Sequence, residues 1–358
     1  MSIEQLAKTL NDLYRSYGYS PYTMSKFEEY ELYLRNKDFL VSDRVLTFTD
    51  TDGKLMALKP DVTLSIIKNT GDAPGEVHKV YYRENVYRPG KNGQGFREIM
   101  QVGLECMGTV DNYCIFEVLL LAVKSLRTIS KSCVLDVSHM GLVSRLLDEA
   151  NLTGIARNQV LEAIGNKNAH EIRSICREEG TSGEMLAKLC SLSGSANSVL
   201  PQLDEVFADA PELQQLKQLL MALDKAGVGC VNVDFSVVNN MTYYNGIVFR
   251  GFVEGIPEGV LSGGQYDVLM EKMKRSGKAI GFALYPDLLS RMTKEPQEAV
   301  DAVLYYDETA DLFTVATALV SLSDEGYRVV AQPDCGRRCQ GKSYRLVGNE
   351  VVANENNA

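Results

Sequence analysis

Arg88 and Arg97 flank a glycine-rich turn, and Gln101 and Glu105 follow on the return strand, all within Tyr81–Gly108. Side chains alternate along a strand, so Gln101, Gly103 and Glu105 share one face and Val102, Leu104 and Cys106 the other. An amide and a carboxylate on one side of an otherwise apolar strand suit the holding of a small polar ligand. The same pair also suits the wet face of a half-exposed sheet. Asp61 stands before an apolar-periodic run and can cap a helix there. Tyr243 and Tyr244 are neighbours in a strand-like run, so at most one is expected to line a pocket directly. Gly263-Gly264 reads either as a hairpin turn or as a place where a ligand approaches the backbone. His78, His139 and His170 sit in unrelated contexts and read as core or surface histidines rather than bases. Cys335 and Cys339 are four apart, with no second pair and no nearby histidine, so no metal is expected.

The elements that must position these residues follow from the hydrophobic pattern. Residues 2–18 form an amphipathic helix pattern. Residues 40–68 read as a hairpin, then a strand running through Lys59-Pro60-Asp61 into a helix. Residues 77–108 are a strand pair, 111–131 a strong helix, and 133–143 a strand leading into a helix. From 145 to 226 helical segments broken by Gly and Ser dominate. Strands return at 230–238 and 243–253, then a glycine turn at 261–267, a helix, and the apolar stretch 277–292. Residues 295–299 read as a linker, and the remainder as strand, helix, strand ending in a polar tail. The strands before and after the insertion must share one sheet, since neither set alone covers a core. The expected fold class is α+β, an antiparallel sheet flanked by helices. The expected division is 1–144 with 227–293 as core, 145–226 as a helical insertion, and 299–358 as a small α/β unit.

With 45% hydrophobic and 23% charged residues, the 358-residue chain is an ordinary globular sequence. No run of 18 apolar residues occurs, so no membrane span is expected. The start has no apolar signal-peptide region, and the eight cysteines lie in apolar or helical contexts. Both features point to a cytoplasmic protein with reduced thiols. A net charge of −10 counts against gripping nucleic acid, which needs a basic footprint.

Four ordered blocks resemble the histidyl-tRNA synthetase family of class II aminoacyl-tRNA synthetases, over nearly the whole chain. Lys59-Pro60-Asp61-Val62-Thr63 is similar to the family's Arg-Pro-Glu/Asp-x-Thr. Arg88, Gln101 and Glu105 lie in a motif 2 layout. Asn239-Asn240-Met241-Thr242-Tyr243-Tyr244 stands at the family's Arg-Gly-Leu-Asp-Tyr-Tyr loop. Gly263-Gly264-Gln265-Tyr266-Asp267 with Gly281-Phe282-Ala283 is similar to motif 3. The resemblance implies that Asp61, Thr63, Gln101, Glu105, Tyr243, Tyr244 and Tyr266 hold a histidine. It implies that Arg88 is a residual phosphate-binding group.

The departures decide what the resemblance implies about activity. Amino-acid activation needs cations for the charge that builds on the phosphates. The family's catalytic arginine falls on Asn239, its motif 3 arginine on Leu288, and the acid after the motif 2 arginine on Gly90. A chain with an amino-acid pocket and no such cations resembles the regulatory, non-enzymatic branch, the regulatory subunits of short-form ATP phosphoribosyltransferase in histidine biosynthesis. That resemblance implies no catalytic residues and no cofactor. It implies a catalytic ATP phosphoribosyltransferase subunit as partner, a homodimer within a hetero-oligomer, and histidine as ligand. The alternatives are an active histidyl-tRNA synthetase-like ligase and an orphan amino-acid sensor.

Overall fold

The computed structural model describes residues 2–40, 42, 44–71, 75–90, 95–237, 243–291, 301–307, 309–334, 342–347 and 350–353. Residues 1–292 and 293–358 separate into two compact units.

The first unit is built on a nine-stranded sheet. Its strands are β1 (Ser20–Pro21), β5 (Val77–Pro89), β6 (Phe96–Gly108), β7 (Cys133–His139), β8 (Ser193–Ser195), β9 (Val231–Asp234), β10 (Ile247–Val253), β11 (Leu261–Gln265) and β12 (Lys278–Leu284). Their spatial order is β1-β5-β6-β12-β11-β10-β7-β9-β8. The pairings are antiparallel except β1 with β5 and β7 with β9. Strands β5 and β6 pair over their whole length, with Tyr82 opposite Gly103 and Arg88 opposite Arg97. A three-stranded sheet of β2 (Phe27–Glu29), β3 (Thr47–Thr49) and β4 (Leu55–Leu58) lies beside it, in the order β2-β4-β3.

Helices cover both faces of the large sheet. Helix α1 (Ile3–Ser16) begins with a capping box of Ser2 and Gln5, and α4 (Asn112–Ile129) begins with Asp111 accepting from Cys114 N–H. Helix α4 packs on β7, β10 and β12, so Val102, Leu104 and Cys106 of β6 join Leu121 and Ala122 in the main core. On the opposite face, α2 (Tyr30–Arg35), α3 (Thr63–Asn69) and α11 (Asp267–Lys272) carry a second core with Leu64, Ile66, Tyr82, Tyr266 and Leu269.

Between β7 and β9 the chain runs through α5 (Met140–Glu149), α6 (Gly154–Gly165), α7 (Ala169–Glu178), α8 (Glu184–Ser191), α9 (Ala196–Phe207) and α10 (Pro211–Lys225). Residue 145 therefore falls inside α5. Strand β8 lies within the helical segment and pairs with β9, so the insertion also extends the sheet edge. His139 ties the two parts together. Its Nδ1 accepts from Gly141 N–H, which leaves Nε2 to donate to Gln215 Oε1 on α10 at 2.9 Å. Burial lowers its pKa below 6.5, consistent with a structural, neutral imidazole.

Three local expectations are corrected. Strand β4 stops at Leu58 rather than running through Lys59-Pro60-Asp61, since Pro60 has no N–H for a ladder. Residues 261–265 form a strand, not a turn. Strand β10 starts at Ile247, so Tyr243 and Tyr244 precede it.

The second unit holds β13 (Ala302–Tyr306), α12 (Leu312–Asp324), β14 (Val329–Pro333), β15 (Lys342–Val347) and β16 (Glu350–Ala353), with strand order β14-β13-β15-β16. Leu304, Ala318, Leu322 and Leu346 form its core. The β15–β16 hairpin goes beyond the strand, helix, strand expected from the sequence. Cys335 and Cys339 lie outside the described residues, as does the expected linker, 295–299.

Candidate functional site

Glu105 stands at the centre of a cavity of about 350 Å³ on the α3 and α11 face of the large sheet. The cavity floor is a patch of small residues. Glu105 is opposite Gly281, Gly103 is opposite Ala283, and Ser262 is opposite Ala283 on the other side. A side chain at either glycine would collide with its neighbours. A Cβ on Gly281 would lie 2.5 Å from Leu104 O and 2.6 Å from Glu105 Cδ, and one on Gly103 would lie 2.6 Å from the Tyr82 hydroxyl. The Gly263-Gly264 pair serves both faces of β11. Gly264 makes room for the Tyr244 ring and Gly263 for Phe282 and Phe249.

The carboxylate of Glu105 is only 2% exposed and is held from two helices. Thr63, the first residue of α3, donates to Oε1 at 2.9 Å, and Tyr266, just before α11, donates to Oε2 at 2.6 Å. Burial pushes the Glu105 pKa up from 4.5 to about 8, against the two hydroxyl donors, with Asp61 pushing it further up. Asp61 caps α3 by accepting from Leu64 N–H at 2.9 Å. Burial raises its pKa too, with Arg88 opposing. Arg88 donates from Nε to Pro60 O at 2.8 Å, and its Nη2 lies 4.0 Å from Asp61 Oδ2. Gln101, 3% exposed, lines the same wall.

Tyr243 and Tyr244 both line the cavity, against the expectation that one at most would do so. The alternation argument fails because neither residue is in a strand. Their rings meet at 4.5 Å, and Tyr243 lies 5.8 Å from Tyr266. Burial raises the pKa of Tyr82, Tyr243, Tyr244 and Tyr266 well above 10, so each remains a neutral phenol.

The structure therefore gathers Asp61, Thr63, Arg88, Gln101, Glu105, Tyr243, Tyr244 and Tyr266 around one cavity. Arg97 is exposed and does not line it. Lys59 does not line it either; it is buried in an ion pair with Glu84. Leu288 packs against the main core, and Asn239 to Thr242 lie outside the described residues. Sequence reading missed Tyr82, Ser262 and Tyr285. Tyr82 had a signal, since only a small residue such as Gly103 can face it across the pair. Ser262 and Tyr285 share a 3.0 Å hydroxyl contact that arises only when β11 and β12 pair. Buried Glu105, partly buried Asp61, hydroxyls and aromatic rings beside a single described lining arginine suit a small ligand that carries a positive charge and a flat or apolar body.

Comparison with known proteins gives this geometry a lineage. The sequence profile of the family described as Histidyl-tRNA synthetase matches residues 1–289. The chain belongs to that family. An Oceanobacillus iheyensis protein named ATP phosphoribosyltransferase regulatory subunit is 26% identical over 304 residues, covering 82% of this chain and 75% of its own length. A Bacillus halodurans structure described as an ATP phosphoribosyltransferase regulatory subunit/histidyl-tRNA synthetase superposes with a TM-score of 0.73 at 22% identity, covering 93% of this chain and 89% of that one. A chain of a Thermotoga maritima ATP phosphoribosyl transferase complex gives 0.64 at 21%, covering 80% of this chain and 97% of its own. The fold is thus the class II synthetase fold of the histidyl-tRNA synthetase family. Among the described residues no helix is long and apolar enough to cross a membrane.

Proposed function

We propose that this chain is a non-catalytic regulatory subunit of short-form ATP phosphoribosyltransferase, the first step of histidine biosynthesis. It binds the catalytic chain, as a homodimer within a hetero-oligomer, and relays histidine as a feedback signal. The observation that carries the reading is the split character of the cavity. Among the groups suited to an amino acid, Thr63 and Tyr266 hydrogen-bond Glu105 and the others line the same cavity, whereas Arg88 is the single cation lining it among the described residues. Leu288, at the family's motif 3 arginine position, packs against the main core, and Asn239 replaces the catalytic arginine in the sequence. Adenylation depends on fixed cations at the phosphates, so their replacement removes the ligase reaction. The regulatory-subunit relatives support this choice within the family.

In the bound state Glu105 and Asp61 take the histidine α-ammonium, with Thr63 fixing Glu105. Gln101 and Tyr243, Tyr244 and Tyr266 enclose the remainder of the ligand. The effect on the catalytic chain is a coupling free energy, about 1–3 kcal/mol in typical allosteric systems, and it is reciprocal. The test pairs two measurements. The chain should form a complex with a short-form catalytic subunit and confer inhibition by histidine. Histidine-dependent pyrophosphate exchange by the chain alone should be absent. Exchange at an ordinary enzyme rate, about 1–10³ s⁻¹, would restore the ligase reading.

A further inference from the structure

A second cavity, about 260 Å³, opens at the other end of α3 and α11. Thr63 at the start of α3 touches the first cavity, and Ile67 and Thr70 near the end of that helix touch the second. Tyr266 and Met270 repeat this arrangement on α11. The chemistry of the two is opposite. The first holds two carboxylates and one arginine. The second has Arg275 and His78 and, among the described residues, no acidic lining group, in a protein of net charge −10.

Three features make this a formed site. Arg275 donates from Nη2 to Lys68 O at 2.7 Å, which anchors the guanidinium on the last turn of α3. His78 Nε2 is a buried nitrogen with no hydrogen-bond partner among the described residues; Glu76 Oε2 lies 3.6 Å away. Gly108 and Gly277 have φ of 106° and 91°, and a Cβ on Gly277 would lie 2.8 Å from Gly108 C. The rim is therefore bare backbone, and hydroxyls of Thr70 and Thr109 stand beside it.

We propose that this cavity binds a small oxyanion, the phosphate or carboxylate group of a compact metabolite. Arg275 supplies the charge, and His78 Nε2 and the Thr109 hydroxyl supply hydrogen bonds to the oxygens, since Thr70 already donates to Ile66 O. The floor of Ile67, Met107 and Met270 takes the apolar part. The site is separate from the histidine cavity and stands or falls without it.

Inorganic phosphate is the probe, titrated into the full chain without histidine and followed by calorimetry and phosphorus NMR line width. Saturable binding is expected. Arg275→Gln should weaken it by about tenfold or more, the scale of a lost charge-assisted hydrogen bond. His78→Ala should weaken it by a smaller factor, and it keeps the test open should Arg275→Gln loosen α3. Malonate that displaces phosphate extends the site to carboxylates, and malonate that does not restricts it to phosphates. Absence of saturable binding overturns the proposal. So does binding that survives both variants, or binding lost in Arg88→Gln instead, which would place the phosphate in the first cavity.

Discussion

On the proposed reading, Glu105 and Leu288 stand for the two halves of one reaction, and their settings differ. Glu105 remains buried, bonded to Thr63 and Tyr266, and surrounded by glycines that make its space. Leu288 is half-buried against the main hydrophobic core, and Gly90, two residues after Arg88, carries no acid. An amino-acid pocket needs a closed set of mutually satisfied groups, so losing one member leaves a buried polar atom stranded. Replacing a phosphate-facing cation by Leu or Asn leaves no such atom stranded. On that reading the recognition half is held by stability as well as by use, and the chemical half by use alone.

The largest effect should come from removing the space itself. Gly281→Ala places a methyl group against the Leu104 carbonyl and the Glu105 carboxyl, and the backbone atom cannot swing away. Overpacking of this kind costs about 1–3 kcal/mol of stability, visible as a lower thermal midpoint. Histidine binding should vanish by calorimetry. Retained binding would mean that Glu105 is not where the ligand sits.

Glu105→Gln comes next. Truncating one member of a desolvated charge pair costs about 2–5 kcal/mol of binding. The variant should still assemble with its catalytic partner while histidine inhibition weakens. Its stability should move the other way at alkaline pH. The folded pKa of Glu105, about 8, is raised above the ordinary 4.5. Its contribution to stability is therefore complete below about 4.5 and is lost as the pH rises through 8. Above that range the wild-type protein carries a buried carboxylate where the variant carries a neutral amide. The Glu105→Gln protein should therefore melt higher than wild type there, and not at pH 4.

A smaller signature is a proton. In the empty pocket Glu105 is mostly protonated at pH 7, and an ammonium ligand needs it ionised. Histidine binding should release a proton at pH 7, and affinity should rise by up to about tenfold per pH unit below the free-pocket pKa. Calorimetry in buffers of different ionisation heat reads this directly. Equal proton release by wild type and Glu105→Gln would assign the proton to another group.

What the sequence makes legible is local. The alternation of Gln101 and Glu105 against Val102, Leu104 and Cys106 is a property of one strand, and β6 has it. The cap role of Asp61 is likewise read from a few neighbouring residues. The hollow itself is not legible, because Ser262, Gly281 and Ala283 come together beside Glu105 only through the pairing of β12 with β11 and β6. The Tyr243–Tyr244 pair escapes for the related reason that the strand-like pattern begins before β10 does. Strand β8 is hidden in a segment whose periodicity is otherwise helical.

The smallest expected effect is the sharpest attempt to break the comparison. Leu288→Arg with Asn239→Arg returns two cations to the family positions. If the chemical half had merely lost its charges, pyrophosphate exchange should reappear. We expect none above background. Cations stabilise a developing charge only when they are held in place beforehand, and a lost donor of this type alone costs about 10²–10³ in rate. Leu288 sits against apolar side chains of the main core, which offer nothing to orient a guanidinium towards the cavity. Arg88, the one described cation there, spends its Nε on Pro60 O and faces Asp61. Histidine affinity in the double variant should stay within a few-fold of wild type, since Thr63, Glu105 and Tyr266 are all retained. Measurable exchange in that variant would show that the phosphate-facing half is dormant rather than dismantled, and the contrast between the two halves would reduce to two side chains.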